Sequence, residues 1–314
     1  MKASFSRFAI LALTLLLITA CASPNTLNNE AENPAIHCKK IVFSYSTKSQ
    51  NGFDSNIVAM CPDGSEKHRL TSDSYDDLMP VWSPDGREIA FLSNRTGNLQ
   101  VHIMDQNGEN IRQIAFSTEE IARIAWLPGE NKIAVLTTTG DGIWQWQAID
   151  VATKEMQPLT NWDIPPDTTD IAFAHHNSLL AYQVFPPQTH KVSLIFVQTK
   201  DGQNTYALTP ESWSHLNILP AWSPDDEHIA FVSNKDNEDD LFSLYIADAN
   251  GENIRRITEQ SFTQPGALAW APDGKSIALF ADGSFYILNI ENGATQKLFA
   301  AEYPDTISSI SWQP

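Results

Sequence analysis

Trp82-Ser83-Pro84-Asp85-Gly86-Arg87-Glu88-Ile89-Ala90-Phe91 and Trp222-Ser223-Pro224-Asp225-Asp226-Glu227-His228-Ile229-Ala230-Phe231 are two copies of one sentence. Each copy runs on through an alternating stretch to Asn-Gly-Glu-Asn-Ile-Arg, at 107–112 and at 250–255. The aromatic that opens the sentence returns as Trp82, Trp126, Phe173, Trp222, Trp270 and Trp312, with neighbours 42 (270 to 312) to 49 (173 to 222) residues apart. A unit of about 40 to 50 residues holding four short strands is the period of a β-propeller blade. The fold class is therefore all-β, a six-bladed propeller.

The residues of the sentence explain its strands, labelled a to d from the axis outward. The aromatic ends strand a. Pro84, Asp85 and Gly86, or Pro272, Asp273 and Gly274, suit a tight turn, because Pro presets φ and Gly accepts a positive one. Strand b (89–92, 229–232, 277–280) is continuously apolar, as a strand covered on both faces must be. Strand c alternates through Leu99, Val101 and Ile103, which predicts a place nearer the rim. Asn107-Gly108, Asp201-Gly202, Asn250-Gly251 and Asn292-Gly293 turn the chain into strand d. The first repeat has strand b (40–44), strand c (56–60) and strand d (67–70) but lacks a strand a, whereas 306–312 reads as a strand a without a blade. The C-terminal strand is thus expected to complete the first blade and close the ring, which removes an open sheet edge.

Residues 1–20 read as a lipoprotein signal peptide, 21–37 as a lipidated cysteine with a polar tether, and 38–314 as the propeller. Lys2 and Arg7 precede an apolar run from Phe8 to Ala20, too short to span a bilayer as a stable helix. Ile18-Thr19-Ala20-Cys21 resembles a bacterial lipobox, in which Cys21 becomes the acylated first residue. Ala22 and Ser23 imply sorting to the outer membrane where the source has one. Such an anchor holds a domain at a membrane without a transmembrane helix. The tether enters at the end of the ring that carries the a–b and c–d turns, so the b–c and d–a loops should face away from the membrane.

The formal charge is −18, and losing Lys2 and Arg7 with residues 1–20 makes it −20. A polyanion would be repelled, which excludes nucleic acid and leaves basic peptides, cations and neutral glycans. Two cysteines remain, Cys38 and Cys61. Pairing 40–44 with 56–60 as a hairpin places them opposite one another at its end, within reach of a disulfide in an oxidising compartment.

The Trp-Ser-Pro-Asp-Gly sentence, followed by Ile-Ala-Phe and closed by the Asn-Gly turn, resembles the repeat of TolB-type six-bladed propellers, and the resemblance covers 38–314. It implies a scaffold for protein contacts whose loop end engages partner peptides. Enzymatic motifs are absent from the sequence: there is no Gly-x-Ser-x-Gly, His-Glu-x-x-His or EF-hand loop, and Gly274-Lys275-Ser276 belongs to a blade turn rather than a phosphate loop. His68, His175, His176 and His228 fall at the turn end, and only His190 and His215 reach the loop end.

Acids and aromatics concentrate on the d–a loops. Tyr75, Asp76, Asp77, Glu120, Trp162, Asp167, Trp213, His215, Phe262, Tyr303 and Asp305 are the candidate partner-binding residues, with one aromatic for each blade once Phe116 is counted. Rigid rings beside charges suit recognition. The expected protein is a monomeric, lipid-anchored scaffold of the bacterial envelope, not an enzyme, that binds a protein or peptide through the d–a loops. The alternative is a carbohydrate binder or metal-assisted polysaccharide enzyme at the same mouth. No cofactor is required, although the acidic mouth would suit Ca²⁺ as well as a basic peptide.

Overall fold

The structure, a computed structural model, describes residues 38–49, 52–138, 143–159, 162–165, 168–186, 192–210, 212–237, 240–301 and 306–314. Cys21 therefore lies outside the described residues, as do Asp167, His190, Tyr303 and Asp305. Residues 38–314 form one compact unit.

Six four-stranded antiparallel sheets make up the unit. Blade 2 shows the plan, with strands a to d at Asp77–Trp82, Glu88–Ser93, Gln100–Asp105 and Arg112–Gln113. Each strand a touches the strand a of both neighbouring blades, so the six ring the axis. Strand d is only two residues long in blades 1, 2 and 5 but six, Thr295–Ala300, in blade 6.

The C-terminal strand, Thr306–Trp312, pairs antiparallel with Ile41–Ser49 and completes the first blade, from Ile41 opposite Trp312 to Ser46 opposite Thr306. Gln313 clasps the seam. Its amide donates to Lys40 O at 2.8 Å, its Oε1 accepts from Lys40 N at 3.1 Å, and its Nε2 donates to Gly86 O of the second blade at 3.1 Å.

The apolar runs of strand b account for the core. In blades 2, 5 and 6 five consecutive residues of strand b are buried, and six apolar clusters fill the six junctions between neighbouring blades. Strand c differs from the alternating, rim-side strand expected from Leu99, Val101 and Ile103: Gln100–Met104 are all buried. Gln100 is covered because the d–a segment folds back over it. Gln100 Nε2 donates to Ser117 O at 2.8 Å and Ser117 N donates to Gln100 Oε1 at 2.7 Å, which satisfies both groups away from water.

The repeated sentence turns out to be a hydrogen-bond circuit. Ser83 Oγ donates to Asp85 Oδ1 at 2.6 Å and accepts from Glu88 N at 3.0 Å, while Arg87 N donates to Asp85 Oδ1 at 3.1 Å. Ser223, Asp225, Glu227 and His228 repeat it. The landmark tryptophans reach further. Trp126, Trp222 and Trp270 each donate Nε1 to a carbonyl of the preceding blade, at Val81 (3.1 Å), Ala172 (2.9 Å) and Ala221 (3.0 Å). They staple blade to blade.

Cys38 and Cys61 are joined by a disulfide with Cα atoms 5.7 Å apart. The hairpin register pairs Ile41 with Met60, so Cys61 follows the ladder directly and Cys38 comes to it from the coil before strand b rather than facing it as a strand partner. Closing a separation of 23 residues restricts the unfolded chain by about 3 kcal/mol on the chain-entropy relation.

Candidate functional site at the loop end of the ring

The d–a loops and b–c hairpins share one end of the ring, and the structure sorts the expected contact residues there by burial. Tyr75 and Glu120 are exposed, Asp76 is half-buried, and Phe116 is 72% exposed. Trp162 and Phe262 are not available to a partner, contrary to expectation: they are 4% and 0% exposed. Trp162 lies edge-on to Phe173, with ring centroids 5.0 Å apart in the junction of blades 3 and 4. Phe262 closes a bridge with Phe242 and stacks obliquely on Tyr286 at 5.5 Å. A large ring in a d–a segment gains more by filling the wedge between blades than by standing in water.

Trp213 is half-buried under Lys235, whose Nζ stands 4.3 Å from the ring centroid. His215 is half-buried as well, and its carbonyl accepts from Ser193 N at 3.1 Å.

Asp77 is likewise corrected. Its carboxylate is fully buried at the start of strand a, where both oxygens accept from Arg95 Nη2 at 3.0 Å. Burial raises its pKa, and hydrogen bonds from Ser93 and Arg95 oppose the rise. Arg95 also reaches Asp73 at 3.2 Å and lies over the Tyr75 ring at 5.7 Å. Asp76 N donates to Asn94 Oδ1 at 2.9 Å, and Asn94 Nδ2 donates to Asp76 Oδ2 at 3.0 Å. The network holds Tyr75 in place from beneath, so the acids Asp73, Asp76 and Asp77 organise the loop.

Among the described residues, the large apolar side chains that the loop end exposes lie in one sector. The exposed large apolar residues among those described are Phe53 (52%), Tyr75 (41%), Phe116 (72%), Ile143 (56%) and Trp144 (36%). Every one sits in a b–c hairpin or d–a loop of blades 1 to 3. Phe53, Ile143 and Trp144 lie in b–c hairpins, outside the d–a loops in which the sequence concentrates acids and aromatics. The sequence signal for them is a glycine directly before a bulky apolar residue, at 52 and at 142, where a polar residue is usual.

Two opposite charges stand on neighbouring inner strands. Arg123 and Asp170 lie on strand a of blades 3 and 4. Burial pushes the Asp170 carboxyl up to about 6 from its ordinary 3.8, and the Arg123 charge offsets part of this. The folded chain thus holds this proton more tightly than the unfolded chain does, and stability falls as pH rises from about 4 through about 6. Asp170→Asn is expected to melt higher than the wild type at pH 7.5, with the gap closing toward pH 4; a gap independent of pH would contradict this.

Such a ring of six four-stranded blades, with its d–a loops and b–c hairpins on one end, is a six-bladed β-propeller. Comparison with known proteins shows what it is similar to. Residues 34–169 match the family described as TolB beta propeller domain. The chain is 46% identical over 52 residues to the Protein TolB homolog of Chlorobium luteolum, covering 17% of this chain and 12% of that one. It is 25% identical over 227 residues to dipeptidyl-peptidase 5 of Porphyromonas gingivalis, covering 69% of this chain and 31% of the peptidase. It spans less than a third of either relative. The crystal structure of TolB from Acinetobacter baumannii superposes with a TM-score of 0.68 at 16% identity, over 88% of this chain and 67% of that one. The fold is thus a six-bladed β-propeller similar to that of TolB.

Proposed function

We propose that the protein is an envelope scaffold that engages a protein or peptide through the loop end of blades 1 to 3, and that it is a binding module rather than an enzyme. The observation that carries the proposal is the confinement of Phe53, Tyr75, Phe116, Ile143 and Trp144 to that sector. Exposed aromatic clusters ringed by polar groups mark recognition surfaces, and loops on a rigid frame supply them. Similarity to TolB supports a place in the bacterial envelope, with Cys21 as the lipid anchor.

Replacing Tyr75, Phe116 and Trp144 together by Ala tests the reading. Each buried aromatic anchor contributes about 2 kcal/mol at a hot spot, so a partner captured from envelope extracts should bind the triple variant at least tenfold more weakly while the melting temperature holds. Undiminished binding would refute the sector. Cys21→Ser should move the protein from the membrane to the soluble fraction, and retention at the membrane would remove the anchor from the account.

A further inference from the structure

At the opposite, turn end of the ring, blade 5 departs from its sister blades in a way that the propeller fold does not require. Blade 2 reads Asp85-Gly86-Arg87-Glu88 and blade 6 reads Asp273-Gly274-Lys275-Ser276, with a base two residues after the turn aspartate. Arg87 stands 3.9 Å from Asp85, and Glu88 is paired with Arg112 at 2.9 Å. Blade 5 reads Asp225-Asp226-Glu227-His228: an acid replaces the base, and an imidazole replaces the Glu or Ser. Arg255, in the place of Arg112, donates instead to Ile290 O at 3.5 Å.

We propose that Asp225, Glu227 and His228 form a divalent transition-metal site of the zinc class, with Asp248, beside His228 but outside that cluster, the fourth ligand once its side chain closes on the ion. Ligand atoms of Asp225, Glu227 and His228 all lie within 4.8 Å of one another. His228 Nε2 and Asp248 Oδ1 are 3.6 Å apart. That is beyond hydrogen-bond range, and close to the roughly 3.4 Å that separates two ligands each about 2.1 Å from one tetrahedral ion.

Asp248 shows the same departure. Its counterpart Asp105 turns Oδ1 onto the amides of Asn107 and Glu109, both at 2.9 Å, to close its own c–d turn. Asp248 keeps the bond through Oδ2 that Asp105 also makes, from Asn253 Nδ2 at 2.6 Å as from Asn110 Nδ2 at 2.8 Å, and differs in that its Oδ1 stands 3.6 Å from the His228 imidazole.

Further bonds fix the ligand carriers. Asp225 Oδ1 accepts from Ser223 Oγ at 2.5 Å and from Glu227 N at 3.1 Å, which leaves Oδ2 for an ion, and His228 N donates to Ser223 Oγ at 2.9 Å. Hydrogen bonds that orient ligands raise metal affinity. Imidazole with carboxylates selects Zn²⁺ and its neighbours over Mg²⁺ or Ca²⁺, which prefer oxygen donors alone. All four side chains are half-exposed or exposed, so the ion enters from solvent without an opening motion. Bound there, it would tie the a–b turn of blade 5 to its c–d turn.

The test is calorimetric titration of chelator-treated, tag-free full-length protein with Zn²⁺. One ion per chain is expected at micromolar affinity, with Ca²⁺ at millimolar concentration failing to compete. His228→Ala should weaken binding at least about 100-fold, and Glu227→Lys, which restores the base of the sister turns, should do the same. The His175→Ala/His176→Ala double variant should bind as the wild type does. No saturable binding, equal binding by His228→Ala, or loss that follows His175 and His176 would overturn the site. Should His228→Ala fail to fold, Glu227→Lys decides alone: retained affinity in that variant overturns the proposal.

Discussion

A chain lacking 306–314 will not fold cooperatively. The deletion removes strand a of the first blade, with it the buried side chains of Ile307 and Ile310, the seam bonds of Gln313, and the bond from Trp82 N to Ser311 Oγ at 3.0 Å. Each large apolar side chain lost from a core costs about 2 to 5 kcal/mol, so the two isoleucines alone approach the whole stability of an ordinary domain. The inner edge of Ile41–Ser49 is also left as an unpaired strand, a template for association. Size-exclusion chromatography should show aggregation, and thermal melts should lose their sharp transition. A monomer with an unchanged melting temperature would mean that the ring does not depend on this closure.

Asp226→Ala should cost about 3 kcal/mol, the largest effect expected of a single substitution at the turn end. Asp226 occupies the place of Gly86 and Gly274 and takes their positive φ, 59° against 68° in both. Its buried carboxylate accepts from His175 N at 2.6 Å, His176 N at 2.7 Å and Asn177 N at 2.9 Å, and lies 3.2 Å from His175 Nδ1. The a–b turn of blade 4, Ala174 to Ser178, lacks the Ser-Pro-Asp-Gly circuit, and a residue of blade 5 closes it from across the junction. Glycine at 226 relieves the backbone but supplies no acceptor, so Asp226→Gly should recover about 1 kcal/mol and no more. Chemical denaturation of both variants measures this. If Asp226→Gly equals or exceeds the wild type, the carboxylate contributes nothing to the junction.

Much of this architecture could be read from residue order because each blade repeats its own punctuation. The landmark aromatics, the Pro-Asp-Gly turns and the orphan strand at 306–312 are local signals, and local chemistry is what a sequence displays. Burial at the mouth was not legible in the same way. Trp162, Phe262 and Asp77 carry the composition of a recognition surface, yet each lies where a neighbouring blade or Arg95 encloses it. Nothing in the d–a loop sequences distinguishes them from Tyr75 or Phe116. The difference is made by the wedge between blades, a property of the closed ring. Strand c of blade 2 failed for a related reason: its alternation was real, but Ser117 folds back to satisfy Gln100 and so covers it. The staple from Trp126, Trp222 and Trp270 to the preceding blade was hidden too, since its acceptor is a backbone carbonyl some 45 to 50 residues away.

The central claim is that partners meet the loop end at blades 1 to 3. The most direct measurement places a photo-reactive residue at Phe116 and at Trp144, and at Lys275 on the turn end as the comparison, in the protein expressed from its full sequence in bacterial cells. The account predicts that cross-links to a common partner form from positions 116 and 144 and not from 275. Cross-links that form from 275 and from neither loop position would contradict it.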